Sequence, residues 1–202
     1  MAAGDCVAVD GQPIASNESR ALVYIMLHKP VGVLSTLAPS REKGIPVSRF
    51  LDLPVRLHTA GRLDRDSSGL LLMTNDGDWS HLLTHPRHAV PKEYLLKLDR
   101  PLTASEMTRL ARGIEVDGRA VAIDALNPVG GAKLAITIHE GRKRILRRLM
   151  RELGRRVVEL KRIRIGPLAL GKLGVGKWRK LSAGEVEALR RAAKPPDNTN
   201  RI

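Results

Sequence analysis

The stretch Gly61-Arg62-Leu63-Asp64-Arg65-Asp66-Ser67-Ser68-Gly69-Leu70-Leu71-Leu72-Met73-Thr74-Asn75-Asp76-Gly77 joins a polar loop, bounded by glycines, directly to a short apolar run. The run 70–74 has the length of a buried strand and not of a helix. Asn75-Asp76-Gly77 then turns the chain. The spacing therefore predicts that Asp64 stands at the edge of a buried strand, a rigid element that can aim a carboxylate.

Working outward, residues 21–28 read as another buried strand, closed by Lys29-Pro30-Val31-Gly32, where proline and glycine force a turn. After the central stretch, Trp79, Leu82 and Leu83 give a short helix that Pro86 ends, and residues 94–98 resume strand character. Thr103-Ala104-Ser105-Glu106 is a capping box: the threonine and the glutamate satisfy each other's orphan backbone donors at a helix start. Met107, Leu110, Ala111 and Ile114 supply the stripe that follows. Ser182-Ala183-Gly184-Glu185 repeats the device before Val186 and Leu189. Between the two boxes, Leu134, Ile136 and Ile138 alternate with Ala135, Thr137 and His139 as a half-buried strand, and residues 157–165 form another, rich in β-branched side chains. The helical crossovers of a doubly wound α/β protein are missing from this pattern. The expected fold is α+β, with a mostly antiparallel central sheet and flanking helices.

The 202 residues, 43% hydrophobic and 28% charged, suit one domain or two small subdomains sharing a core. Cys6 is the single cysteine, which excludes a disulfide framework, and no repeated Cys/His pairs suggest structural zinc. A reducing cytoplasm is the expected location. The longest apolar run, 21–27, is far short of the roughly 18 residues that suggest a membrane span. Residues 1–19 are short, turn-rich and hydrophilic, with Asp10-Gly11 as a hairpin signal, and the tail 194–202, begun by Pro195-Pro196, is expected to be disordered.

Charge points to a partner. A net +14, with a pI near 10.7, concentrates polyanions. The charge is also local: residues 141–164 hold eleven basic side chains against Glu152 and Glu159. Placed on a helix, residues 144–155 put Ile145, Leu146, Leu149, Met150 and Leu153 on one arc, with Arg144, Arg147, Arg148, Arg151 and Arg155 opposite. A charged face is usually only solvated. Here one sign repeats five times, at a cost of a few tenths of a kcal/mol for each pair one turn apart, unless a polyanion relieves it. Nucleic acid is the expected ligand of this face. Phe50, Tyr24, Tyr94, Trp79 and Trp178 are too few and too scattered to stack successive bases, so affinity should come from phosphates and RNA shape, with one or two bases handled singly. Asp64 and Asp66, two residues apart, are not read as a metal pair; Pro86 interrupts His81, His85 and His88 as a zinc set; 171–176 lacks the ending of a phosphate-binding loop.

These residues resemble a family. The quoted stretch, in the form Gly61-Arg62-Leu63-Asp64-x-x-Ser67-x-Gly69-Leu70-Leu71-Leu72-x-Thr74-Asn75-Asp76-Gly77, is similar to the active-site signature of the ribosomal RNA pseudouridine synthases of the RsuA/Rlu group. Lys29-Pro30-x-Gly32, Lys92-x-Tyr94, Glu140-Gly141-Arg142-x-Arg144-x-x-Arg147-Arg148 and Leu160-x-Arg162-x-Arg164-Ile165-Gly166 agree in order and spacing. The similarity extends over residues 24–189. An aspartate in a Gly/Ser-rich loop is ordinarily a turn former, but thirteen matching positions within a span of seventeen favour chemistry.

The resemblance implies a pseudouridine synthase catalytic fold, in two subdomains around a cleft. It implies an enzyme that detaches uracil from C1′ of its ribose, rotates it and rejoins it through C5, without cofactor or metal. Asp64 is then the catalytic carboxylate, as nucleophile toward the sugar or as base. Arg147 matches the basic residue that pairs with it, Tyr94 the tyrosine that packs on the uracil and shares in removing the C5 proton, and Arg62 an arginine that enters the RNA stack where the target flips out. Arg142, Lys143, Arg144, Arg148 and Arg151 join Arg62 as expected RNA-binding residues. Where Ile145 stands, the family commonly carries glutamine or glutamate. Residues 1–19 resemble the last hairpin of an S4-type RNA-binding domain, or else form a flexible lead, with 20–193 as the catalytic domain. The segment around Trp79, together with 86–88 and 157–160, is most similar to the small-subunit enzyme, whereas Arg65-Asp66-Ser67 is closer to large-subunit members. The expected partner is ribosomal RNA or a ribosomal subunit precursor, met by a monomer with no membrane and no nucleotide cofactor. The competing readings are a large-subunit enzyme, a catalytically silent rRNA-binding assembly factor and, at a distance, a membrane-surface protein.

Overall fold

The computed structural model describes residues 21–37 and 44–193, together with the backbone of residues 8–9 and 12–13. Ala8–Val9 pairs antiparallel with Gln12–Pro13, in keeping with the hairpin signal between them. The rest of the expected lead and the whole of the tail lie outside the described residues.

A nine-stranded sheet organises the molecule. In chain order its strands are β1 (Tyr24–Lys29), β2 (His58–Ala60), β3 (Ser68–Thr74), β4 (Lys92–Leu98), β5 (Ala125–Gly130), β6 (Lys133–Ile138), β7 (Val157–Ile165), β8 (Leu168–Ala169) and β9 (Trp178–Lys180). The main path runs β5-β6-β4-β7-β3-β1-β9, with β2 on β3 and β8 on β7. Every pairing in it is antiparallel except β7 with β3, where Lys161 faces Ser68 and Arg162 faces Gly69.

That parallel seam divides the sheet. On the β3 side, Leu70 and Leu72 pack with Met26, Trp79 and Leu189 on one face, while Leu71 and Met73 pack with Ile25, Leu27, Leu63 and Val47 on the other. Both faces are covered, which is why the central run reads as continuous apolar sequence without alternation. Each such side chain contributes roughly 1.5–3 kcal/mol by leaving water. On the β4 side a separate core gathers Leu96, Ile136, Leu149, Met150 and Leu160. Two half-sheets with their own cores meet along β7, and a cleft opens between them.

Helices α1 (Gly77–Thr84) and α4 (Ala183–Ala192) pack on the first half, α2 (Ala104–Ala111) and α3 (Ile145–Glu152) on the second. Both expected capping boxes form, at Thr103 with Glu106 and at Ser182 with Glu185. The Thr74-Asn75-Asp76-Gly77 end of the central stretch is structural. The Asn75 Oδ1 accepts from the Val23 amide at 2.7 Å, and Asp76 caps α1 by accepting from the Trp79 amide at 2.9 Å. Asp76 also accepts from the Tyr24 hydroxyl at 2.6 Å, and burial followed by this carboxylate pushes that phenol up to about 12.

One element differs from its sequence expectation. The basic helix stops at Glu152, and Arg155 lies beyond it with its side chain 7% exposed, ion-paired to Glu106 of the α2 capping box. Gly154, at φ +64, turns the chain out of the helical path, so Arg155 points inward. It belongs to the packing of α2, away from the solvent face of α3.

Candidate active site

Asp64 lies in the loop between β2 and β3, and this loop is fixed on three sides. Leu63 is buried, its amide donating to the Ser35 hydroxyl oxygen at 3.1 Å while the same hydroxyl donates to the Leu63 carbonyl at 2.9 Å. The Gly32 amide donates to the Arg65 carbonyl at 2.7 Å, which ties the Lys29-Pro30-Val31-Gly32 turn to the loop. The Ser67 amide closes a turn on the Asp64 carbonyl at 3.0 Å. Between these anchors the Asp64 side chain faces the cleft, half-buried, with no hydrogen bond or ion pair among the described residues.

The cleft has a volume of about 1060 Å³. Asp64, Arg62 and Ser67 line it from the loop, Lys92 and Tyr94 from β4, and Arg162 from β7. Leu72, Ile138, Leu160 and Ile165 give it apolar walls. Tyr94 is half-buried, packed against the cores of both half-sheets, and stands opposite Ile136 and Arg162 in register. Arg62 is exposed at the cleft wall.

Arg147 does come to this loop, but its ion pair is with Asp66 and not with Asp64. Its Nε lies 3.3 Å from the Asp66 Oδ2, its Nη2 donates to the Asp66 carbonyl at 2.8 Å, and its Nη1 donates to the Val157 carbonyl at 2.9 Å. Arg144 grips the same carboxylate with both terminal nitrogens, at 3.0 and 2.7 Å. In an extended loop, side chains two residues apart would project alike; the 64–67 turn breaks that relation, sending Asp64 to the cleft and Asp66 to α3. Asp64 still contributes to the field at Arg144, Arg147 and Lys29. Burial lowers the Arg147 guanidinium from its ordinary value, and the two aspartates pull it back.

The other expected RNA-binding residues divide into two groups. Arg142 is spent inside the protein, on Glu140 and on the carbonyls of Val116 and Ala120 in the Ile114–Val116/Arg119–Val121 hairpin. Arg144 is spent on Asp66, and Arg148 on Asp117. Lys143 and Arg151 are exposed and make no such pair among the described residues. Ile145 is buried in the β4-side core and also touches the cleft.

Sequence reasoning gave no role in the site to two further groups. Asp66 links the Asp64 loop to α3. Lys29, fully buried, donates to the Pro30 and Val33 carbonyls at 2.9 and 2.7 Å, and burial, opposed by Asp64 and Asp66, pushes its ammonium down to about 8. The available signal for Asp66 was an acid two residues from Asp64 in a chain with basic residues in large excess.

Among the described residues no group of three or more His, Cys, Asp or Glu is placed to hold a metal ion. The rings of His81, His85 and His88 do gather, with centroids 4.8–6.3 Å apart, but His88 Nε2 already accepts from Arg87 Nε at 3.0 Å.

Comparison with known proteins places this geometry. The family model for RNA pseudouridylate synthase matches residues 23–152. An uncharacterized RNA pseudouridine synthase of Aquifex aeolicus is 38% identical over 193 residues, spanning 93% of this chain and 76% of that protein. The ribosomal small subunit pseudouridine synthase A of Salmonella typhimurium is 39% identical over 192 residues, spanning 91% of this chain and 80% of that protein. A solved pseudouridylate synthase structure superposes with a TM-score of 0.77 at 36% identity, covering 84% of this chain and 74% of that one.

Proposed function

Since the chain belongs to the RNA pseudouridylate synthase family, we propose that it isomerises a specific uridine of small-subunit ribosomal RNA to pseudouridine, with Asp64 as its catalytic carboxylate. The observation that carries the reading is the state of Asp64: its loop is anchored at Leu63, Arg65 and Ser67 while its carboxylate, lining the cleft, is left without a partner among the described residues. A carboxylate held in place and unspent is ready to meet C1′ of a ribose or a proton beside it. Tyr94, on the cleft wall, has the flat face on which a flipped base can pack. Arg147 acts on Asp64 through Asp66, as a positioning residue. Arg62, Lys143 and Arg151 are the exposed cations left to meet phosphate.

The small-subunit assignment is supported by the 39% identical small-subunit enzyme. The reaction is an intramolecular transfer with no net change of oxidation state, so the reading calls for no redox cofactor. It takes the chain as a cytoplasmic monomer, with residues 20–193 as the catalytic unit. No helix among the described residues is long and apolar enough to cross a membrane.

The test is tritium release from C5-labelled uridine in ribosomal RNA, free or in subunit particles. The wild-type protein should release tritium from small-subunit RNA, and Asp64→Asn should be slower by at least about a thousandfold. Release from large-subunit RNA alone would reassign the substrate. Binding without release from either would make the protein an assembly factor.

A further inference from the structure

We infer that the inner wall of the cleft holds a subsite for the detached pyrimidine as an anion, in which the Lys92 ammonium donates to a ring oxygen and the neighbouring Arg162 guanidinium supplies further positive field. This rests on the isomerase reading above and adds the binding of its departing base.

Lys92 precedes Tyr94 by two residues on β4, so both side chains leave the same face of the strand, and both line the cleft. Arg162 stands opposite Tyr94 on β7, hence on that face too. Neither cation has a carboxylate partner among the described residues. The Lys92 Nζ donates once, to the Val90 carbonyl at 3.0 Å. Arg162 is 2% exposed; its Nε donates to the Leu70 carbonyl at 2.8 Å, its Nη1 reaches the Arg62 carbonyl at 3.4 Å, and its Nη2 has no partner.

Two adjacent cations, Arg162 buried and Lys92 half-buried, with no ion pair to either among the described residues, oppose folding. The strain registers at Lys92, whose ammonium is pushed down to about 8 by burial and then by Arg162. Asp66 is held by Arg144 and Arg147. Leu72, Ile138, Leu160 and Ile165 surround the pair with hydrocarbon. Such a site suits a flat ring that carries charge only part of the time better than it suits a phosphodiester, whose contacts belong with the exposed cations.

The reaction makes that anion. When the C1′–N1 bond breaks, its electron pair stays with the ring, which becomes a monoanion with charge on N1, O2 and O4. C1′ is meanwhile satisfied by the Asp64 carboxylate, or by loss of a neighbouring sugar proton to it. C5 then bonds to C1′, the Asp64 bond or the lost proton is restored to its starting place, and the C5 proton leaves while N1 takes up a proton, so that the ring double bond re-forms and the product is a neutral isomer of the substrate. Cations that strengthen their hold as charge develops lower the barrier to the first step.

The test compares two bases. Lys92→Met and Lys92→Gln, the second able to keep the bond to Val90, are assayed in single turnover on RNA carrying uridine or 5-fluorouridine at the target, with consumption of the starting nucleoside read by mass spectrometry; the fluorinated ring has no C5 proton to lose, so once C5 has bonded to C1′ it keeps its fluorine and takes up water across N1 and C6. Fluorine stabilises the ring anion unaided. On uridine both variants should lose about 100-fold, with RNA affinity changed less than about threefold, and the deficit should shrink to about tenfold or less on 5-fluorouridine. Equal deficits on the two bases, in whichever variant folds, overturn the subsite, as does no deficit. A wild-type protein inactive on all ribosomal RNA would instead remove the isomerase reading beneath it.

Discussion

Asp66 is the residue whose importance grew most between sequence and structure. Its carboxylate accepts from both terminal nitrogens of Arg144 and is ion-paired with Arg147, whose Nε lies 3.3 Å away, while its own carbonyl accepts from the Arg147 Nη2. Burial alone would raise its carboxyl. The bond from Arg144 and the charges of Arg147 and Arg144 more than reverse this, and it is held below the ordinary carboxylate value. Its contribution to stability is therefore full above the unfolded value, near 4, and is lost as pH falls through the lower folded value. Asp66→Asn should slow pseudouridine formation by about 10- to 100-fold through misplacement of Asp64, with little change in RNA affinity. It should also flatten the acid limb of thermal stability, as melting curves below about pH 5 would reveal. Arg147→Ala should impair catalysis more than Arg151→Ala for the same reason.

At the scale of elements, the decisive contact is the parallel seam of β3 with β7. Gly69 has φ +110, and a Cβ there would meet the Arg162 carbonyl oxygen at 2.2 Å and its amide nitrogen at 2.6 Å. Neither backbone atom can move without shifting β7, so the signature glycine is fixed by close approach as well as by conformation. Gly69→Ala should cost about 2–4 kcal/mol, seen as a lower midpoint in urea, and should displace the Asp64 loop in whatever fraction folds. Helix α3 carries a related tension. Arg144, its N-cap, sits at φ +54, and a cation at a helix N-terminus opposes the dipole; the Asp66 carboxylate offsets both.

For the whole molecule, the net +14 divides into charge that builds the protein and charge free for a partner. Arg142, Arg144, Arg148 and Arg155 are consumed internally, whereas Lys143, Arg151 and Arg62 are not. Lys143→Ala and Arg151→Ala should each weaken RNA binding and reduce the slope of log affinity against log salt by about one. Arg142→Ala should mainly loosen the 114–121 hairpin and lower the melting temperature. A salt titration of binding with melting curves for the three variants separates the two kinds of arginine.

The sequence by itself determined the parts that depend on near neighbours: the buried central strand, the two capping boxes, the amphipathic α3 and the loop that carries Asp64, because apolar period and local hydrogen bonding are written in consecutive residues. Its resemblance to a family also supplied the reaction. What only the tertiary structure decided is which groups meet across the fold. The order of the sheet and its one parallel seam bring Arg162 to Gly69 and Lys92 beside Arg162. A turn of four residues decides that Arg147 pairs with Asp66 while Asp64 is left free. Two aspartates, two residues apart, look alike to any local rule. They differ because strand pairing and helix docking, which bring in residues 78 and 81 positions away, surround one with guanidinium groups and leave the other facing the cleft.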